Sequence, residues 1–386
     1  MNIKEKDSLY VANTYARFDV EIVKGKGALL YDDNGKEYID MGSGIAVNTL
    51  GVADEGWINA VTDQLAKVQH VSNLYYSAPQ AELAELLCKR TGMKKVFFGN
   101  SGAEANECAI KVARKYAAEK KGAEYNTIIT LINSFHGRTI TTLAATGQEV
   151  FHKDFLPLTE GFEYAVANDI DTVKAIIAKE KVAAVMVEPV QGEGGVLPLT
   201  KEFCKELQAL AEKDDILIIA DEVQTGNGRT GELYGYMTLG FKPDIVTTAK
   251  GLAGGLPLGA CMMNEKTAGV LTPGSHGSTF GGNPIAAAGA LHVMSRLTEE
   301  FLAEVRAKSD YIFSTLEGKE GIKSVSGLGL MVGIETEKDA SEVIAKCIDL
   351  GVIPLKAKNK VRLLPPLTVT MEQLKKAIDI ILEAVR

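Results

Sequence analysis

The chain lacks several features that would settle its class at once. Its 386 residues include only five cysteines. They stand at 88, 108, 204, 261 and 347, odd in number, scattered and without a C-x-x-C pair, which argues against a disulfide framework and a zinc site. They read as buried thiols of a reducing cytoplasm, and no metal is expected. Positive charge is not in excess either: 42 Lys+Arg against 50 Asp+Glu leave a net −8, which repels nucleic acid and anionic membrane from most of the surface. Any anion site must be local. The opening "MNIKEKDSLYVANTYARF" has no apolar core of a secretory signal, and no apolar run approaches the length that spans a bilayer. There is no internal repeat, no low-complexity tract and no G-x-x-x-x-G-K-[ST] phosphate loop. A soluble globular protein is expected from 46% hydrophobic and 24% charged residues.

What is present is an alternation. Asn34-Gly35 between two β-rich runs predicts an N-terminal hairpin. Trp57, Ile58, Val61, Leu65 and Val68 fall on one helical stripe, and "PQAELAELLCKRTG" predicts a helix with Pro79 early and Gly92 past its end. From "KKVFFGN" onward, short unbroken apolar runs alternate with helical ones, the signature of a mainly parallel sheet covered on both faces. Ligands of such sheets lie beyond the carboxyl ends of the strands. Asn100 to Ser101, His136 to Arg138, Glu188, Asp221 and Lys250 all follow strand signals and converge there. After "NPIAAAGALHVMSRL" the pattern becomes that of a smaller α+β unit. The expected division is an N-terminal segment, 1–56, that joins the small domain, a large domain over 57–296, and a C-terminal small domain over 297–386.

Three strand-end features carry chemistry. "GNSGAEANECAIKVARKY" opens a helix after a strand, so its free N–H groups and positive dipole end can hold a phosphate; equally, Ser101 and Glu104 spell a capping box. "LIIADEVQTGNGRTG" ends an aliphatic run in Asp221, which either pairs with Arg229 or caps a helix, or else holds the proton of a heterocyclic nitrogen. In "DIVTTAKGLAGGLPLGA" no acidic residue follows Asp244 to pair with Lys250. A lysine desolvated among small apolar residues has a lowered pKa and a nucleophilic amine. Phosphate, pyridinium and aldehyde are the three groups of pyridoxal 5'-phosphate that such a loop, aspartate and lysine would meet.

Nearly end to end the chain resembles the class-III aminotransferases of pyridoxal-phosphate fold type I, and within them the group acting on acetylornithine. The likeness rests on "NTYARF", "GSGIAVN", "HVSNLYY", "GNSGAEANE", "FHGRT", "VEPVQGEGG", "ADEVQTGNGRTG", "AKGLAGGLPLGA", "HGSTFGGNP" and "VRLLPP" in this order. The resemblance implies an α/β fold whose large domain holds a mainly parallel seven-stranded sheet. It implies that Lys250 bonds the cofactor aldehyde and that Asp221 partners the pyridine nitrogen. Gln224 stands near the phenolic oxygen, Phe135 and Val223 pack on the two ring faces, and Ser101, Gly102 and Ala103 hold the phosphate. Thr279, with Ser278 beside it, reaches the site of a second subunit, implying a homodimer. Arg138 matches a substrate-carboxylate arginine, Glu193 and Arg362 a pair that exchanges partners between half-reactions, and Tyr15 a polar contact for the substrate.

Two departures stand out. "GVADEG" replaces the "GHCHP" of many relatives, and Ala103 replaces a threonine, which removes a hydroxyl but leaves the backbone N–H. The implied reaction moves the terminal amine of N2-acetyl-L-ornithine to 2-oxoglutarate. Ornithine, succinylornithine and 4-aminobutyrate are the alternative donors, and a non-catalytic phosphate- or nucleotide-binding protein is the distant rival.

Overall fold

The computed structural model describes all 386 residues. Its centre is a seven-stranded sheet in the order Lys95–Gly99, Gly259–Met263, Ile245–Thr248, Leu217–Asp221, Val182–Val187, Thr127–Leu131, Phe162–Ala165. The five strands from Ile245–Thr248 to the Phe162–Ala165 edge pair parallel. Gly259–Met263 runs antiparallel to both of its neighbours. The reason is local: the chain between Thr248 and Gly259 holds only a short 3-10 turn at Lys250–Ala253, and a parallel return needs a longer crossover. Five of the strands are buried along their whole length, as a sheet covered on both faces requires.

The helix Gly102–Lys120 lies across this sheet, burying Ala105, Cys108, Ala109, Val112 and Ala113 on one stripe. The expected hairpin forms, with Leu29–Asp32 antiparallel to Glu37–Asp40. Its second strand, Glu37–Asp40, also pairs with Val352–Ile353, so the N-terminal ribbon and the C-terminal part share one sheet. A second four-stranded sheet orders Ile322–Leu328, Met331–Thr336, Lys360–Leu363 and Leu355–Ala357. We propose on this ground the division near residues 57 and 297. One helix is shorter than its apolar stripe: it spans Glu55–Leu65, capped by Asp54 through the Trp57 N–H, and Val68 lies past its end. No helix is long and apolar enough to cross a membrane.

Candidate functional site

The carboxyl ends of the strands open on a cavity of ≈ 240 Å³ lined by Gly102, Ala103, Phe135, Arg138, Asp221, Val223, Gln224 and Lys250 together with Asn106, His136, Gly137 and Glu188. Eight residues assigned a role above, with His136, Gly137 and Glu188 of the strand-end set, therefore meet at one point. Asp221 is the last residue of its strand and almost wholly buried. Its Oδ2 accepts from Asn106 Nδ2 at 2.8 Å and lies 2.7 Å from His136 Nδ1, while Oδ1 accepts the Val223 N–H at 3.0 Å. The pairing with Arg229 is ruled out: that guanidinium donates to the carbonyls of Leu330 and Pro365. Asp221 caps no helix, so a lone pair on Oδ1 remains for a ligand.

Adjacent carboxylates divide here, Asp221 at the strand end facing the cavity and Glu222 just past it facing away. Glu222 turns from the cavity and accepts from the N–H groups of Gly235 and Tyr236 and from the Thr225 hydroxyl. Burial still pushes it up to about 7. Glu188, buried against the cavity, accepts from the N–H of Phe135 at 2.9 Å; burial raises it to about 8, with the nearby His136 opposing and Asp221 adding to the rise.

At the helix start, the Ser101 side chain accepts from the Glu104 N–H. The capping box is only half made. The Glu104 carboxylate reaches one residue further back and takes the Asn100 N–H and side-chain amide, both at 2.8 Å. The first helical N–H groups, those of Gly102 and Ala103, have no intrahelical acceptor and border the cavity. A Cβ on Gly102 would come within 2.6 Å of Val223 Cγ1, so the close approach of loop and ring-facing valine requires glycine. "GNGRTG", Gly226 to Gly231, spells G-x-G-x-x-G by letter, yet it is a turn that opens no helix; the next begins at Gly235.

Lys250 ends the apolar run with its backbone at φ +42°, a left-handed conformation strained for a residue with a Cβ. Burial lowers its amine to about 8. The opposing charge that acts on it most, Glu193, is already committed: its Oε1 lies 2.6 Å from Arg362 Nη1. Burial pushes the Glu193 carboxyl up, and Arg362 more than reverses that, leaving it below its ordinary value. Gln224 joins both, accepting from Arg362 Nη1 at 3.1 Å and donating to Glu193 at 3.4 Å. Arg138 is exposed at the mouth, its guanidinium over the rings of Phe135 and Phe151 at 5.7 and 5.2 Å.

Ser101, Glu193 and Arg362 border the lining residues without lining this cavity themselves, and Tyr15, Ser278 and Thr279 lie outside it. Tyr15 is 69% exposed, and the Ser278 hydroxyl accepts from Asn100 Nδ2 and the Gly281 N–H. His136 and Glu188 lie at the strand ends as expected but take no part in the implied chemistry, and Asn106 was not singled out at all. Asn106 had a signal: a polar residue four positions after Gly102, on the helix face that packs against the sheet.

The cavity fits pyridoxal phosphate on its own geometry. Free helix-start N–H groups suit a phosphate, the open lone pair of a buried carboxylate suits a protonated ring nitrogen, and an uncommitted amine suits an aldehyde. Fold and site define a pyridoxal-phosphate enzyme of fold type I. The family model for class-III aminotransferases matches residues 10–385, and the chain belongs to that family. It is 50% identical to the acetylornithine aminotransferase of Haemophilus ducreyi, over 98% of this chain and 97% of that one. Among solved structures, an ornithine aminotransferase of Toxoplasma gondii superposes with a TM-score of 0.95 at 31% identity, covering 99% of this chain and 94% of that one. An N-acetylornithine aminotransferase of Stenotrophomonas maltophilia gives 0.85 at 36% identity, covering 98% of each.

Proposed function

We propose that this aminotransferase takes the terminal amine of N2-acetyl-L-ornithine and passes it to 2-oxoglutarate, releasing N-acetyl-L-glutamate 5-semialdehyde and L-glutamate. The observation that carries the reading is the arrangement of two arginines around one amine: Arg138 open at the mouth, Arg362 neutralised by Glu193. When bound, pyridoxal phosphate supplies an aldehyde that condenses with primary amines and a ring that stores the electrons left when a carbon loses its proton.

The chain's own residues do the rest. Asp221, held by His136 and Asn106, keeps the proton on the ring nitrogen. Lys250, with an amine lowered to about 8, is deprotonated often enough near neutrality to take a proton from carbon and return it. Arg138 grips the α-carboxylate of the donor through paired hydrogen bonds, which fixes the distance from that end to the reacting amine. 2-Oxoglutarate brings two carboxylates, and the second draws Arg362 away from Glu193.

The same reading makes the protein a homodimer whose Ser278–Thr279 loop completes the partner's cavity. Its support is an exposed apolar surface: Leu74, Tyr75, Tyr76 and Phe280 are 88, 70, 108 and 60% exposed. Asn73 Nδ2 ties the two loops together by donating to the carbonyls of Ser278 and Gly281. Glutamate formation from 2-oxoglutarate with acetylornithine, succinylornithine, ornithine and 4-aminobutyrate tests the proposal. Acetylornithine should lead; an equal or better rate with one of the others would replace the donor.

A further inference from the structure

The Lys250 amine has no close partner of its own to fix it, because Glu193 is spent on Arg362. Its position must therefore come from the backbone, and that backbone is strained at φ +42°. Strain of this kind persists only where the surroundings over-determine it. Three carbonyls of the turn each accept a side-chain donor from a different part of the chain. Ala249 O takes Asn227 Nδ2 at 3.1 Å, Gly251 O takes Thr49 Oγ1 at 2.9 Å, and Ala253 O takes Trp57 Nε1 at 3.0 Å. The approach is close: a Cβ on Gly251 would meet Thr49 Oγ1 at 2.3 Å, and one on Gly254 would meet Trp57 Nε1 at 2.9 Å.

Thr49 and Asn227 are both 2% exposed, so neither hydrogen bond competes with water. Thr49 is itself anchored, its carbonyl accepting the Leu367 N–H at 2.9 Å, just beyond the strand that carries Arg362. Its stretch of chain is also unusual, since Ser43, Gly44, Ile45 and Ala46 all have positive φ.

We propose that Thr49, Trp57 and Asn227 are positioning residues that clamp the Lys250–Ala253 turn, with the Thr49 hydroxyl aiming the lysine amine into the cavity. Without the Thr49 bond, Gly251 O is left unpaired in the interior, the turn relaxes toward negative φ, and the Cα–Cβ vector of Lys250 swings away. The inference rests on the reading of Lys250 as the amine that bonds the cofactor.

Two measurements test it. In the apoprotein, pH-dependent acylation of Lys250 is followed by peptide mass spectrometry. In the cofactor-loaded protein, borohydride fixes pyridoxal phosphate on Lys250, and the rate of capture after mixing is read by mass. The charged groups facing the amine, Glu193, Arg362, Asp221 and Glu188, are the same in every variant. Thr49→Val should raise the acylation midpoint by roughly half a pH unit or more as the amine gains water, and slow capture by roughly tenfold to a hundredfold as its aim is lost. Thr49→Ser, which keeps the hydroxyl, should restore both. Parent-like values in Thr49→Val, or a Thr49→Ser protein that behaves like the valine variant, would overturn the clamp. If Thr49→Val does not fold, Trp57→Phe decides by the same two readings, with unchanged values counting against it. A parent protein that never captures the cofactor at Lys250 sinks the aminotransferase chemistry instead, while acylation still decides the role of Thr49.

Discussion

His136 Nδ1 lies 2.7 Å from Asp221 Oδ2 with both side chains buried. Burial pulls the imidazolium down, and the carboxylate in contact more than restores it, so that the His136 pKa ends above its ordinary value. A proton on Nδ1 thus stays available to the Asp221 carboxylate at the end of its apolar strand.

Asp221→Asn should keep the fold and lose activity. The amide is nearly isosteric and retains an oxygen for His136 and Asn106, yet it cannot hold a ring proton. A charge partner in a buried site shifts such an equilibrium by about 3 units, so kcat/KM should fall roughly a thousandfold or more with little change in melting temperature. Near-parent activity would return Asp221 to a structural role.

Lys250→Ala should bind cofactor without a covalent bond and fail to turn over, since both the link and the proton carrier are gone. Borohydride treatment followed by intact mass checks this: the parent gains the cofactor's mass and the variant does not. Steady-state transamination by the cofactor-saturated variant at more than a small fraction of the parent rate would refute the assignment.

Lys250→Met should stabilise the apoprotein. The lysine falls from 10.5 in the unfolded chain to about 8 when folded. Between those values the unfolded chain binds a proton that the folded one does not, so stability drops as pH falls through this window and stays low beneath it. At ~1.4 kcal/mol per unit, discounted for the partial exposure of the side chain, the gain near neutral pH is about 2 kcal/mol. Urea midpoints measured near pH 7 and again near pH 9.5 should show the gain shrinking at the higher value; a constant or absent gain argues against a desolvated lysine.

Glu193→Ala should leave Arg362 bare in both half-reactions. Its 2.6 Å contact with Glu193 is lost, and only Gln224 remains within reach. Single turnovers with glutamate should be retained or improved, while those with acetylornithine should weaken by roughly tenfold or more, the scale of losing a charge-assisted contact. Equal losses in the two half-reactions would exclude gating.

Acetylornithine should be preferred to free ornithine by about a hundredfold or more in kcat/KM, because an unpaired charge in a closing site discriminates strongly. We propose that Ile45 is the side chain facing the α-amino end of the donor. It sits 43% exposed at φ +65° and offers no hydrogen bond to a free α-ammonium. Competition between the two amines at equal concentration, read by product mass, gives the ratio. A ratio near unity would remove the acetylornithine assignment and leave the aminotransferase standing.

The strand ends were readable because each is local: an apolar run, then Asp221, Lys250 or Gly102. The hairpin at Asn34-Gly35 and the sheet alternation were readable for the same reason. The helix ending at Leu65 short of Val68, and the carboxylate of Glu104 turning to Asn100, were not, since several local arrangements satisfy the same letters and neighbours choose among them.

The sequence alone determined the kinds of chemistry available, because turn residues, apolar periodicity and the types of side chain at strand ends depend only on near neighbours along the chain. Tertiary structure decided who holds whom. Asn106 and His136 reach Asp221 from 115 and 85 residues away. Glu193 meets Arg362 across 169, and Thr49 fixes the lysine turn across 202. Those separations leave no periodic trace, since such contacts exist only once the sheet has brought its strand ends together and excluded the water that would otherwise satisfy each group by itself.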